Sequence, residues 1–180
     1  KFIHRRPAHH ADGPPPHRSG FGYAGGPHRA PRSHEPSSHD GYLRFMPLGG
    51  CGEVTRSCYV YEYKDDIVII DMGMQFPEED MPGIDYLIPN VSALQHKKKN
   101  IRGVIITHGH YDHIGAIPHL LEPLGYPTLY ATALTRGMIL KRQEDFPQFK
   151  KPKIELITTV SRLKLGDFEA EFFHVNHNIP

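Results

Sequence analysis

A layered α/β fold is the class that this 180-residue chain predicts, and three observations predict it. Ile67-Val68-Ile69-Ile70 and the run 101–106 are short and almost wholly apolar, the signature of parallel strands covered on both faces. Segments with helix cap and stop signals alternate with such runs, the pattern of a sheet flanked by helices. A cluster of imidazoles and one carboxylate, residues 108–113, follows directly on the second run, and open α/β sheets place their chemistry outside the carboxyl ends of strands.

Taken in order, the first forty residues stand apart. They hold seven of the seventeen prolines and seven of the fourteen histidines, with no Leu, Val or Met. Such a stretch buries too little apolar surface to offset the entropy of ordering it, so 1–40 reads as a disordered His/Pro/Gly-rich tail and 41–180 as the domain. Residues 58–63 and 67–71 are strands joined by a hairpin turn at Lys64-Asp65-Asp66. Gly49-Gly50-Cys51-Gly52 lacks the Gly-Lys-Ser/Thr ending of a phosphate loop, and its glycines suit a tight bend near the cluster. Residues 101–107 form the next strand. A helix then runs from Asp112 or His113 to about Glu122, with Pro118 tolerated best in its first turn. Residues 128–131 are a short strand, and Thr132 caps a helix reaching about Asp145, ended by Phe146-Pro147. Strands at 154–157 and 167–175 follow, the second delivering His177 from its end.

The cluster itself carries the chemistry. His108, His110, Asp112 and His113 offer the nitrogen and oxygen donors that suit zinc and its borderline neighbours. The bland alternative is a polar loop without metal. A bend that turns His108 and His110 one way and Asp112 and His113 another would serve two adjacent ions, as in dinuclear hydrolases. Ligand histidines need partners that fix their tautomers. Asp71, at the carboxyl end of a buried strand, is the candidate for that role, with capping of the following turn as its alternative. Thr107 could support the loop through its hydroxyl.

HGHYDH fits the HxHxDH pattern of the metallo-β-lactamase superfamily. The flanking segments narrow the resemblance. Pro47-Leu48-Gly49-Gly50-Cys51-Gly52-Glu53-Val54, Asp71-Met72-Gly73-Met74-Gln75-Phe76-Pro77-Glu78, Gly83-Ile84-Asp85-Tyr86-Leu87-Ile88-Pro89, residues 107–121 and Phe172-Phe173-His174-Val175-Asn176-His177-Asn178-Ile179-Pro180 all resemble ribonuclease J, of the β-CASP group, in that family's order. The resemblance runs from about residue 42 to 180. It implies an αββα sandwich of which this chain is the amino-terminal part. It also implies a zinc-dependent ribonuclease that hydrolyses RNA phosphodiester bonds internally and from a 5′ end, in RNA processing (ribosomal RNA included) and decay. His108, His110 and His177 would hold one of two zinc ions, and Asp112 and His113 would belong to the other. Asp112, with the metal-bound water, would be the catalytic group. His174 needs no ligand role and reads as a strand residue facing solvent. Some members bind a structural calcium ion near the segment matching 82–84.

The bridging aspartate, a last histidine and the β-CASP insertion are expected beyond Pro180, so residues 1–180 alone are expected to show negligible activity. The same downstream regions are where a homo-oligomer contact would lie. Two other readings stay open: another hydrolase of the same fold, such as a thioesterase, and a metal-binding module without turnover.

Charge bears on the partner. From residue 41 onward fifteen Lys/Arg stand against seventeen Asp/Glu, so this part is not a basic RNA-binding module. Lys97-Lys98-Lys99 and Lys150-Lys151 read as solvated loops. The tail carries six Lys/Arg against three Asp/Glu and reads as solvated, with a weak electrostatic tether for RNA as the competing reading. No run approaches the ~18 apolar residues of a membrane span, and the start lacks the apolar segment of a secretion signal. Cys51 and Cys58 form neither a CxxC pair nor a disulfide framework, which points to a cytoplasmic setting.

Overall fold

A computed structural model describes residues 41–177; the expectation of a disordered tail over 1–40 falls outside the described residues. Six strands form one sheet in sequential order: β1 (Leu43–Gly49), β2 (Cys58–Tyr63), β3 (Asp66–Ile70), β4 (Ile101–Ile105), β5 (Leu129–Ala131) and β6 (Ile154–Leu156). The first three pair antiparallel and β3 to β6 pair parallel. β7 (Arg162–Leu165) and β8 (Phe168–Glu171) make a separate antiparallel hairpin.

The apolar runs behave as their composition demands. Side chains alternate across a strand, and in β3 both sets are buried. Ile67 and Ile69 enter a large core cluster with Val104, Leu129, Ile114, Leu120 and Ile139. Val68 enters a second cluster with Ile105, Tyr130, Ile157 and Leu165, against which Ile70 also packs. The centre of the sheet is therefore covered on both faces, by helices on one side and by the β7–β8 hairpin on the other. Gly103 is required here: a Cβ at that position would lie 2.6 Å from the Tyr130 ring.

The single helix expected from residue 112 to about 122 is instead two one-turn helices, α1 (Tyr111–Ile114) and α2 (Ile117–Leu120). Pro118 explains the break. It has no N–H for the Ile114 carbonyl and its ring would clash there, so it sits in the first turn of α2, where no such bond is needed. α3 (Ala133–Gln143) matches its predicted start, with the Thr132 hydroxyl accepting from the Thr135 N–H. The strand expected over 167–175 stops at Glu171. Its neighbour β7 was not foreseen, because Arg-Leu-Lys-Leu is short and only Leu165 is buried. β1 was not foreseen either; its inner residues are only partly buried.

Two buried carboxylates fasten the sheet at the end away from the cluster. Asp66 accepts from Arg102 and, at 2.6 Å, from the Asp167 N–H. A Cβ on Gly166 (φ +64°) would strike that carboxylate. Glu62, with its side chain 3% exposed, pairs with Arg44 at 3.2 Å and Lys97 at 2.5 Å. The lysine run is therefore solvated only in part: Lys98 and Lys99 are exposed, whereas Lys97 neutralises a buried acid. Cys51 is exposed, Cys58 is buried, and both are free thiols. No helix among the described residues is long and apolar enough to cross a membrane.

Candidate metal centre

β4 ends at Ile105, and the chain turns outward through Ile106 and Thr107 into the cluster. Ser57, just before β2, and the segment after β3 hold the following turn in place. The Ser57, Met72 and Met74 N–H groups donate to the carbonyls of Asp112 (2.8 Å), His113 (2.8 Å) and Tyr111 (3.1 Å). The approach is so close that a Cβ on Gly73 would lie 1.6 Å from the Asp112 carbonyl oxygen. The sequence gives neither Gly73 nor Ser57 a role at the cluster. No local pattern marks either contact with Asp112, because it joins positions 39 residues apart for Gly73 and 55 for Ser57.

Side chains converge above this frame. His108 Nε2 lies 2.9 Å from His110 Nδ1, and His177 Nε2 lies 3.0 Å from the same atom. One potential ligand atom from each of the three falls within 4.8 Å of the others. His177 comes from the segment after β8, so a remote stretch of chain meets the 108–110 turn. Burial, joined by the neighbouring His113, pushes the His108 pKa down to about 4, with Asp71 opposing and His110 and His177 adding to the fall. The His108 ring is therefore neutral near pH 7.

Asp112 and His113 form a pair beside the three, with Asp112 Oδ2 3.3 Å from His113 Nε2. The His108 and His113 ring centroids are 4.0 Å apart. Burial pulls the His113 pKa down, but the hydrogen bond and charge of Asp71, with the charge of Asp112, outweigh it and raise the net value.

Asp71 is 1% exposed. Its Oδ1 accepts from the Thr107 N–H at 2.8 Å, and its Oδ2 meets the Thr107 hydroxyl at 2.8 Å and His113 Nδ1 at 2.7 Å. Asp71 thus contacts both the His113 ring and the Thr107 backbone. Its backbone is left-handed (φ +64°), a conformation that Asp tolerates better than most residues. Thr107 Oγ1 also meets His108 Nδ1 at 2.9 Å, so Asp71 and Thr107 together hold the far nitrogens of two rings. His174 is exposed, as expected, but lies in the irregular segment after β8 rather than in a strand. It joins His108, His177, Thr107, Thr132 and Thr158 around a cavity of about 460 Å³.

The family model of the metallo-beta-lactamase superfamily matches residues 51–178. The chain belongs to the metallo-β-lactamase superfamily. Membership implies divalent metal binding, and the three converging imidazoles are a donor set that fits such an ion. Ribonuclease J of Mycoplasma pneumoniae is 36% identical over 137 residues, 76% of this chain and 24% of that protein. Ribonuclease J 1 of Streptococcus pyogenes is 37% identical over 133 residues, 74% of this chain and 24% of that protein. Ribonuclease J of Synechocystis sp. is 31% identical over 138 residues, 76% of this chain and 22% of that protein. The chain thus spans about a quarter of the length of these curated relatives. Among solved structures, the metallo-β-lactamase fold protein YhfI from Bacillus subtilis aligns with a TM-score of 0.44 at 18% identity, covering 76% of this chain and 55% of that one.

Proposed function

We propose that this metallo-β-lactamase domain carries the metal-binding part of a zinc-dependent ribonuclease that hydrolyses RNA phosphodiester bonds. The observation that carries the reading is the meeting of His177 with His108 and His110 across a gap of 67 residues. The names of its relatives supply the substrate class. Kinship to ribonuclease J supports zinc as the metal and cleavage both internally and from a 5′ end.

In this reading His108, His110 and His177 hold one ion, and Asp112 and His113 contribute to a second. Bound divalent ions would supply the chemistry of lowering a water's pKa toward neutrality and neutralising charge on a phosphoryl group. The chain's own residues supply orientation and proton control. Burial keeps His108 neutral, so protons do not compete for its lone pair near pH 7. Asp71 binds His113 Nδ1 and thereby keeps the proton on that nitrogen, leaving Nε2 free to act as a ligand. The Asp112 carboxylate, 30% exposed and 3.3 Å from His113 Nε2, would be the group that accepts a proton from the nucleophilic water.

The test is metal analysis together with cleavage of a 5′-labelled RNA by the full-length protein and its His110→Ala variant. The expected result is zinc in the wild-type protein and loss of metal and cleavage together in the variant. Cleavage near the wild-type rate in His110→Ala would remove the assignment. Hydrolysis of a thioester but not of RNA would replace the nuclease with a thioesterase of the same fold.

A further inference from the structure

Thr107 stands where the chain leaves β4 for the ligand turn, and its hydroxyl is held from two sides. Oγ1 lies 2.8 Å from Asp71 Oδ2 and 2.9 Å from His108 Nδ1, while the Thr107 N–H donates to Asp71 Oδ1 at 2.8 Å. A hydroxyl has one proton to give and two lone pairs to accept with, and an ionised carboxylate only accepts. The single Thr107 proton is therefore committed to Asp71. Toward His108 the same oxygen can only accept, which places the imidazole proton on Nδ1. His108 Nε2 is then the nitrogen with the lone pair, and it is the one that faces the other ligands, 2.9 Å from His110 Nδ1. His113 reaches the carboxylate without an intermediary: its Nδ1 is 2.7 Å from Asp71 Oδ2 and 3.4 Å from Thr107 Oγ1.

We propose that Thr107 is a positioning residue whose hydroxyl, backed by Asp71, fixes the His108 tautomer that turns Nε2 to the metal. This role rests on the metal reading of the cluster and deepens it. One carboxylate oxygen thereby sets two rings, His113 directly and His108 through the hydroxyl, so ligands assigned to the two ions share one orienting acid. A hydroxyl with no acceptor behind it could rotate and donate to Nδ1, which would move the ring proton to Nε2 and block the ligand atom. Asp71 closes off that alternative. Thr107 is exposed, so a substitution there removes the hydroxyl without opening a cavity in the core.

The experiment compares the full-length wild type with Thr107→Val and Thr107→Ser. Val keeps the branched shape and removes the hydroxyl, whereas Ser keeps the hydroxyl and removes the methyl group. In metal-free protein with isotope-labelled histidine, NMR of the ring nitrogens is expected to show His108 protonated at Nδ1 in the wild type and in Thr107→Ser. In Thr107→Val its proton should shift toward Nε2, while His113 keeps its Nδ1 proton in all three proteins. Chelator competition should give a zinc affinity about tenfold weaker in Thr107→Val and close to wild type in Thr107→Ser. A His108 ring still protonated at Nδ1 and wild-type zinc affinity in Thr107→Val would overturn the proposal. So would a loss of affinity without a change of tautomer, since Thr107 would then act by shaping the loop. A Thr107→Ser protein that behaves like Thr107→Val would overturn it as well. No RNA enters these measurements: a protein that binds zinc in this way but cleaves no RNA removes the nuclease reading alone, and a wild-type tautomer in Thr107→Val removes the role of Thr107 alone.

Discussion

Replacing Asp71 with Asn tests whether this carboxylate sets the protonation of His113. The exchange conserves volume and keeps a residue type that accepts the left-handed backbone at this position. What changes is hydrogen-bond polarity. The wild-type carboxylate accepts from the Thr107 N–H, from the Thr107 hydroxyl and from His113 Nδ1. An Asn amide whose oxygen stays on the Thr107 N–H must turn its NH2 toward His113. The ring then accepts at Nδ1 and carries its proton on Nε2, the nitrogen a metal would need. Exchanging charge-assisted bonds for neutral ones costs about 1–2 kcal/mol of stability. Loss of a partner that orients a ligand typically weakens metal affinity about 10–100-fold. His113 also titrates lower in the variant, since Asp71 supplies the hydrogen bond and charge that raise its pKa. In the metal-free protein that contribution to stability is complete below the ordinary histidine pKa of about 6.5 and disappears as pH rises through the raised value. Competition titration with a chromophoric chelator measures the affinity, and NMR of the imidazole nitrogens reports the tautomer. Unchanged zinc affinity with His113 still protonated at Nδ1 would refute the argument.

Two further substitutions probe the frame. Gly73→Ala places a methyl group against the Asp112 carbonyl; because backbone must move, a loss of at least about 3 kcal/mol is expected, and a urea midpoint showing less than about 1 kcal/mol would contradict it. At Asp66 burial alone would raise the carboxyl pKa, but hydrogen bonds from Arg102 and the Asp167 N–H lower it overall. Its stabilisation is therefore present above the unfolded carboxylate pKa of about 3.9 and is lost as pH falls through the lowered folded value. Asp66→Asn should cost about 1–2 kcal/mol at pH 7, and its denaturation curve should approach the wild-type curve below about pH 4.

The sheet was legible because parallel strands buried on both faces must be apolar throughout: β3, β4 and β5 fall within two residues of their predicted bounds. The hairpin to β3 was equally plain, although only Lys64-Asp65 turns and Asp66 already belongs to the strand. Edge and hairpin strands were harder. β1 and β7 bury only some of their side chains, and that mixture looks like a loop. Proline marked the break in the helix following the cluster but not its depth, since two separate turns or one kinked helix satisfy the same constraint. At the site, the residues that carry ligand-type atoms announced themselves by chemistry. The residues that position them did so only where, like Asp71, they end a strand. Gly73 and Ser57 act through backbone contacts with distant segments, and no spacing along the chain encodes such a contact.

The central claim is that His108, His110 and His177 share one cation. X-ray absorption at the zinc edge of the full-length protein tests it most directly, with His177→Ala compared against His174→Ala. In His177→Ala, imidazole scattering around the metal is expected to fall by one ring or the ion to be lost, while His174→Ala matches the wild type. A wild-type coordination shell in His177→Ala would contradict it.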